Sequence, residues 1–334
     1  MLNFGVIGTG AIGTDHTRRL AQVIKGAQVV ALQDTTQQAM TAAARFAPAA
    51  KQYLTDQALL ADPQVQAVLV TSPGTLHADT VIAAIEAGKY VFCEKPLATT
   101  TADCVRILAA EQRSGKRRVQ VGYQRRYDRG YLALKQAIDT GFIGEPLMVK
   151  CAHRNPHKPD SYTTDMHIHD TFIHEIDTLH WLLEDTYTEV EVIFPKQGKP
   201  GHLRDPQLVI LKTQSGIVIT AEIFVNCQYG YDIQCEIVGT QGTVSLPEND
   251  SLTFRRQGIA GIQVLQDWKD RFIEAYDVEL QDFVTAIATH GQPKGPTSWD
   301  GYVAALTTDA ALASQVSGQR EPIVVGEKPL FYQF

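Results

Sequence analysis

The chain begins Leu2-Asn3-Phe4-Gly5-Val6-Ile7-Gly8-Thr9-Gly10-Ala11-Ile12-Gly13, an apolar run that passes directly into a GxGxxG turn. A tight strand-to-helix turn needs glycine where the backbone takes a positive φ and where a side chain would hold a ligand phosphate away from the peptide. The helix entered at Ala11 and Ile12 presents unpaired N–H groups and positive partial charge at its start. The stretch therefore predicts a dinucleotide-binding β-α unit, with Gly8, Gly10, Ala11, Ile12 and Gly13 against a pyrophosphate. A second apolar run, Val29-Val30-Ala31-Leu32, ends at Gln33-Asp34, and Asp34 lies 21 residues beyond Gly13. That is the spacing of an acid that accepts hydrogen bonds from an adenosine 2′-hydroxyl and repels a 2′-phosphate, so NAD is expected as cofactor rather than NADP.

Outward from this start, short apolar runs alternate with helical stretches as far as about residue 125. The runs are Val29 to Leu32, Ala67 to Val70, Tyr90 to Cys93 and Val119 to Tyr123; Ala78 to Ala87 and Ala102 to Gln112 lie between them. Alternation of this kind predicts an α/β fold whose N-terminal domain, residues 1–125, is a Rossmann-type doubly wound parallel sheet. After Gly144-Glu145-Pro146 the rhythm changes, and β-type runs follow one another with only turns between: Leu147 to His153, Glu189 to Phe194, Leu208 to Thr213, Ile217 to Asn226, Ile233 to Gly239 and Gly242 to Leu246. They predict a second α/β domain, residues 126–334, built on a large open, mostly antiparallel sheet. Helices are expected over about Asp170 to Leu183, Trp268 to Thr289 and Trp299 to Ser317, the C-terminal ones packing back on the first domain. A broad sheet with a bare face is commonly hidden by association of subunits, so an oligomer is expected.

With 334 residues, 44% of them hydrophobic and 20% charged, the chain has the balance of a globular protein with a sizeable core. A net charge of −7 offers no basic field for nucleic acid or anionic lipid. No leader pattern or membrane-length apolar run is visible, which makes the cytoplasm the expected location. Five scattered cysteines, Cys93, Cys104, Cys151, Cys227 and Cys235, form neither CxxC pairs nor a disulfide framework.

Two constellations carry candidate chemistry. Cys93-Glu94-Lys95-Pro96-Leu97 closes an apolar strand at the edge where doubly wound sheets bind ligands. A lysine there can polarise or deprotonate an alcohol; the alternative is an ordinary exposed lysine. The second is Asp165-Met166-His167-Ile168-His169-Asp170-Thr171-Phe172-Ile173-His174-Glu175-Ile176-Asp177. If Asp170 caps a helix, His174 stands one turn on along the same face, where a carboxylate orients an imidazole and stabilises its protonated form. That is the arrangement of a base that takes a hydroxyl proton. A metal site is the competing reading, because His167-x-His169 with Asp170 and His174 has the look of a zinc ligand set. His180, His202 and His290 receive no role.

Together these segments resemble the family of glucose-fructose oxidoreductase and inositol dehydrogenase over essentially the whole length. The likeness runs through Gly8 to Gly13, Val91-Phe92-Cys93-Glu94-Lys95-Pro96-Leu97-Ala98-Thr99-Thr100, Arg125-Arg126-Tyr127-Asp128, Ala152-His153-Arg154-Asn155-Pro156, Asp170 to Asp177, Tyr229-Gly230-Tyr231-Asp232 and Gly295-Pro296-Thr297-Ser298-Trp299-Asp300-Gly301-Tyr302. The resemblance implies an NAD-dependent dehydrogenase of a polyol, assembled as a homotetramer through the open sheets, with no metal. Its catalytic residues would be Lys95, Asp170 and His174. Thr71, Ser72, Gly74, His77, Glu94 and Lys95 would join the glycine turn and Asp34 around the cofactor. Gln124, Arg125, His153, Asn155, His167, Thr171 and Tyr231 would contact substrate alongside Lys95, Asp170 and His174, with Trp268 and Arg271 nearby.

The departures from the pattern concern the substrate. Where similar myo-inositol enzymes tend to have methionine before the Arg-Arg pair this chain has Gln124, and His167 and His169 replace small or aliphatic residues ahead of Asp170; Pro73 stands where an aromatic is usual. Both inositol isomers give the same ketone, 2-keto-myo-inositol, but one loses an equatorial and the other an axial hydride, so the ring must tilt and its hydroxyls find new partners. The added polar groups lead to the expectation of scyllo-inositol ahead of myo-inositol. Oxidation of another polyol or of glucose, and a non-catalytic NAD-binding sensor, are the alternatives.

Overall fold

The computed structural model describes residues 1–196, 203–247 and 252–333; His202 lies outside them. The chain divides into two compact units. The first is Met1–Tyr123 with Tyr276–Ala305 and Glu327–Phe334, and the second is Gln124–Ala275 with Leu306–Gly326.

In the first unit, β1 (Leu2–Ile7), α1 (Ala11–Gln22), β2 (Ala27–Gln33), α2 (Gln37–Ala44), β3 (Lys51–Tyr53), α3 (Asp56–Leu60), β4 (Ala67–Val70), α4 (His77–Glu86), β5 (Tyr90–Glu94), α5 (Thr101–Ser114) and β6 (Val119–Gly122) follow in chain order. The strands pair in parallel in the order β3-β2-β1-β4-β5-β6. β1 is the strand at which the order reverses, and ligands of such sheets gather at its carboxyl end. Thr36, Thr55 and Thr100 start α2, α3 and α5 by accepting a bond from the N–H three residues on. A Cβ on Gly5 would come within 2.6 Å of the Leu59 side chain, so any larger residue there would displace that leucine. Phe4, Val6, Leu20, Leu32, Met40 and Phe92 form one continuous core with Leu280, Phe283 and Val284, which come from far along the chain. Phe283 meets Phe4 at 6.0 Å and Phe92 edge-on at 5.6 Å. Burying a side chain of that size contributes about 1.5–3 kcal/mol.

The second unit contains α6 (Arg129–Asp139), β7 (Pro146–Arg154), a π-helical turn (His167–Phe172), α7 (Ile173–Leu183), β8 (Tyr187–Ile193), β9 (Gln207–Thr213), β10 (Val218–Phe224), β11 (Asp232–Gly239), β12 (Gly242–Ser245), β13 (Thr253–Arg256) and β14 (Ile259–Ile262). Its main sheet runs β12-β11-β7-β10-β9-β8-β15, where β15 is Glu321–Pro322. Among the described residues only the β7–β10 pair of this sheet is parallel, so the sheet is mixed and mostly antiparallel. Alternation sends Ile219, Ala221 and Ile223 of β10 and Ile233, Cys235 and Ile237 of β11 inward. α7 lies on this side, tied down where Tyr187 donates to the Ile176 carbonyl at 2.8 Å.

The opposite face mixes charged and apolar side chains, with Val218 exposed and Leu208, Ile210 and Phe224 half-buried on it. Arg154 pairs with Glu222 and Asp232, Lys150 pairs with Glu236, and a basin of about 530 Å³ opens among them. α8 (Trp268–His290), which departs from helical backbone at Phe272, and α9 (Ser298–Ser317) each begin in one unit and end in the other. Among the described residues no helix is long and apolar enough to cross a membrane.

Candidate active site

At the carboxyl end of β1, Gly8 takes φ +88°, and a Cβ on it would stand 2.5 Å from the Ser72 nitrogen. A Cβ on Gly13 would strike the Gly8 carbonyl at 2.0 Å and Thr71 Oγ1 at 2.6 Å, so α1 can approach the turn only through glycine. Thr71 locks that approach by donating to the Gly8 carbonyl at 2.6 Å. Gly10, by contrast, faces open space, and no side chain caps α1 or puts an acid in its first turn. An anion is therefore free to reach the N–H groups that the helix leaves unpaired.

Asp34 follows β2. Its Oδ2 accepts from Thr9 N–H at 2.8 Å and Thr9 Oγ1 at 2.9 Å, and its Oδ1 accepts from Thr35 N–H at 2.7 Å. Burial works to raise its pKa, but the bonds from Thr9 and Thr35 outweigh burial and hold it below the ordinary carboxylate value. An open helix start, a backbone free of side chains and a charged acid at the second strand fit NAD.

Glu94 ends β5, and Lys95 follows it. Glu94 Oε1 meets His16 Nε2 at 2.7 Å, and Oε2 accepts the Lys95 N–H at 3.2 Å, so the turn carrying Lys95 is tied to α1. Nothing in the sequence had singled out His16. His77 is buried, and its two ring nitrogens meet the carbonyls of Pro96 at 2.7 Å and Ser72 at 2.8 Å. It binds two loops to each other, which makes it part of the frame rather than of the lining.

In the second unit the expectation that Asp170 caps a helix is overturned. Asp170 lies inside the π-helical turn, and α7 begins after it with no side-chain cap. His174 sits in the first turn of α7, its ring 6.1 Å from that of His153 on β7.

Beneath them is a buried cluster that the sequence reading found only in part. Arg125, from the 3-10 turn Gln124–Tyr127, pairs with Glu175 of α7 and approaches His153 Nδ1 at 3.1 Å. Glu175 Oε2 lies 3.1 Å from the same nitrogen. Burial works to raise the Glu175 pKa, yet the charge of Arg125 and the hydrogen bonds from His153 and Arg125 bring it down to about 2. Burial lowers the pKa of His153, and Glu175 recovers only part of that. Tyr231 stands edge-on to His153 at 5.8 Å, with its phenol pushed up to about 12 by burial.

Asn155, just after β7, is buried, and its Nδ2 and Arg125 Nε have no hydrogen-bond partner among the described residues. Buried donors left unpaired are costly, and a ligand oxygen relieves the cost. Thr171 Oγ1 is bonded to Tyr162 at 2.6 Å, and Gln124 is buried.

Other expected contacts are spent elsewhere. His167 is fully buried, with Nδ1 at 3.1 Å from the Thr164 carbonyl and Nε2 at 3.0 Å from Asp205 Oδ1. His169 is 40% exposed and faces Asp165. Arg271 pairs with Asp128 at 2.6 Å. Among the described residues no group of three or more His, Cys, Asp or Glu is arranged to hold a metal ion.

Comparison with known proteins places these two halves. Residues 2–123 match a family model described as oxidoreductase family, NAD-binding Rossmann fold, and residues 135–325 match its partner, oxidoreductase family, C-terminal alpha/beta domain. An inositol 2-dehydrogenase/D-chiro-inositol 3-dehydrogenase of Halalkalibacterium halodurans is 57% identical over 99% of this chain and 96% of its own. An inositol 2-dehydrogenase of Serratia proteamaculans is 52% identical over 99% of both. The structure of a myo-inositol dehydrogenase from Lactobacillus casei, solved with NAD(H) and myo-inositol, superposes over 100% of both chains with a TM-score of 0.97 at 43% identity. The glycine turn with its charged Asp34 and the mixed sheet are thus the two halves of one enzyme, and the chain belongs to the glucose-fructose oxidoreductase and inositol dehydrogenase family as an NAD-dependent oxidoreductase acting on a CH–OH group.

Proposed function

We propose that this protein is an inositol 2-dehydrogenase, oxidising a ring hydroxyl of inositol to the ketone 2-keto-myo-inositol. The observation that carries the reading is identity of 52–57% with inositol 2-dehydrogenases along nearly the whole of both chains. The unpaired donors Asn155 Nδ2 and Arg125 Nε add to it, since a ring bearing a hydroxyl on every carbon supplies acceptors in any direction.

NAD, when bound, supplies the acceptor for the hydride that leaves the ring carbon. His174 takes the hydroxyl proton as the carbonyl forms, Asp170 stabilises the imidazolium that results, and Lys95 holds the substrate oxygen. His153, kept neutral by burial, offers the substrate a ring nitrogen without adding charge. Glu175 leaves Arg125 paired, so the cluster suits a neutral polyol rather than a carboxylate.

The case for scyllo-inositol rested on Gln124, His167 and His169. With His167 engaged inside the unit and His169 turned to Asp165, two of those three supports are gone, and myo-inositol becomes the reading we favour. A cytoplasmic homotetramer joined through the open sheets goes with this function in our reading.

Initial rates of NAD reduction with myo-, scyllo- and D-chiro-inositol and glucose, with NADP as control, test the proposal. The expected result is the highest kcat/KM with myo-inositol and NAD. Turnover of glucose but of no inositol would move the substrate class, and NAD binding without turnover of any polyol would favour a sensor.

A further inference from the structure

The segment between Asn155 and Tyr162 carries a cation to which the sequence reading gave no role. The Lys158 ammonium stands 3.4 Å from Asp170 Oδ2 and 4.9 Å from the centre of the Tyr162 ring. Tyr162 in turn holds Thr171, and its hydroxyl donates to the Met166 carbonyl at 2.7 Å. The lysine is thus set beside Asp170 directly and beside Thr171 through one aromatic ring. Its charge also contributes to lowering the pKa of His153.

A charge-assisted N–H···O⁻ bond normally closes to about 2.7–2.9 Å. At 3.4 Å the ammonium is a loose partner of Asp170. The side chains of Lys158 and Asp170 are 23% and 34% exposed, so a ligand can reach both, whereas His167 is 0% exposed and out of reach.

A hydrogen-bonded chain holds the lysine in place. Asp205 receives His167 Nε2 on Oδ1 and Asn226 Nδ2 on Oδ2 at 3.3 Å, and Asn226 Oδ1 accepts the backbone N–H of Lys158 at 3.2 Å. The N–H of Val225 also binds Asp205 Oδ1 at 3.0 Å, which anchors the chain to the residue following β10. His167 therefore connects to the Lys158 backbone through two side chains, Asp205 and Asn226.

We propose that Lys158 is a specificity-determining residue, donating to a substrate hydroxyl next to Asp170, and that His167 is a positioning residue acting on it through Asp205 and Asn226. The inference rests on the polyol dehydrogenase reading given above. A hydroxyl both accepts and donates, so one hydroxyl placed between ammonium and carboxylate satisfies both at once. An epimer that turns this hydroxyl away forgoes both hydrogen bonds and leaves ammonium and carboxylate to their own loose pair, so the two isomers differ in binding though equal in size.

The experiment compares kcat/KM for myo-, scyllo- and D-chiro-inositol in the wild type, Lys158→Met, Lys158→Arg, His167→Val and the double variant Lys158→Met/His167→Val. Lys158→Met is expected to lower kcat/KM for the preferred isomer by about tenfold or more and for the others by less, so that discrimination contracts while KM for NAD holds. Lys158→Arg restores part of the loss. His167→Val contracts the ratio in the same direction, and in the double variant it adds little to Lys158→Met, because both act through one group. Equal loss on every isomer, or full additivity of the two substitutions, overturns the proposal. His167→Gln, which keeps an N–H toward Asp205, takes the place of His167→Val if the latter does not fold, and it is expected to preserve the wild-type ratio. If the wild type oxidises glucose and no inositol, the function proposed above fails alone, and the Lys158 ratios are read between glucose and its epimers.

Discussion

Asp34 does two jobs with one carboxylate. Thr9 and Thr35 hold it, and through Thr9 it braces the glycine turn, while in our proposal its charge is also what selects the cofactor's ribose. Asp34→Ser removes the charge that repels a 2′-phosphate, and the ratio of kcat/KM for NADP over NAD is expected to rise about 10- to 100-fold, the worth of one hydrogen bond to a charged group. An unchanged ratio in steady-state assays would assign the exclusion of NADP to another group. Asp34 stands out in the sequence because its proposed role depends on distance along the chain from a glycine motif. Glu175 was not, since His174-Glu175-Ile176 reads as any helix with an acid in it. What makes Glu175 matter are contacts 22 and 50 residues away along the chain, with His153 and Arg125. Lys158 escaped for the same reason.

Among the elements, the strands of both sheets could be read from apolar runs and alternation, and their observed ends differ from the expected ones by one to a few residues. The short β3 and β15, the hairpin β13–β14 and the helices α2, α3 and α6 were missed. α6 did carry a signal, since Asp128 caps it by accepting from Gly130 and Tyr131 N–H. The π turn ahead of α7 left no comparable mark, because its extra residue per turn shows in the backbone and not in any side-chain spacing. α7 is fastened to the 3-10 turn by two ion pairs, Arg125–Glu175 and Arg126–Asp177, and to β7 where Glu175 meets His153. Glu175→Gln leaves the buried Arg125 without a counter-charge and is expected to cost about 3–5 kcal/mol of stability, read from denaturant unfolding. A loss under 1 kcal/mol would mean that the cluster is held by packing instead. The pH response follows from the sign of the shift. The folded pKa of about 2 lies below the ordinary 4.5, so the contribution is complete above about pH 4.5 and fades as pH falls toward 2.

On the scale of the whole molecule, the first 125 residues contain every strand of the parallel sheet but not all of its core. Leu280, Phe283, Val284 and Ile287 return from α8 to complete it. Glu111 of α5, buried, takes bonds from Arg118 and Val119 N–H, from Ser298 at 2.7 Å and from Tyr332 at 2.9 Å, so the chain's end is also stitched into this unit. A fragment of residues 1–125 therefore lacks several buried side chains worth about 1.5–3 kcal/mol each, against a total stability of about 5–15 kcal/mol for a typical domain. It is expected to show no cooperative thermal transition by circular dichroism; a sharp two-state melt would show that α8 is dispensable to the sheet. The same threading bears on how such genes recombine. A crossover near codon 125 that exchanged the nucleotide half for a stranger's would leave the old α8 and the old C-terminal tyrosine pressed into the new core. Inheritance of cofactor preference in this lineage should then proceed by point changes such as those at Asp34, or by exchange of the gene entire, and not by shuffling of its halves.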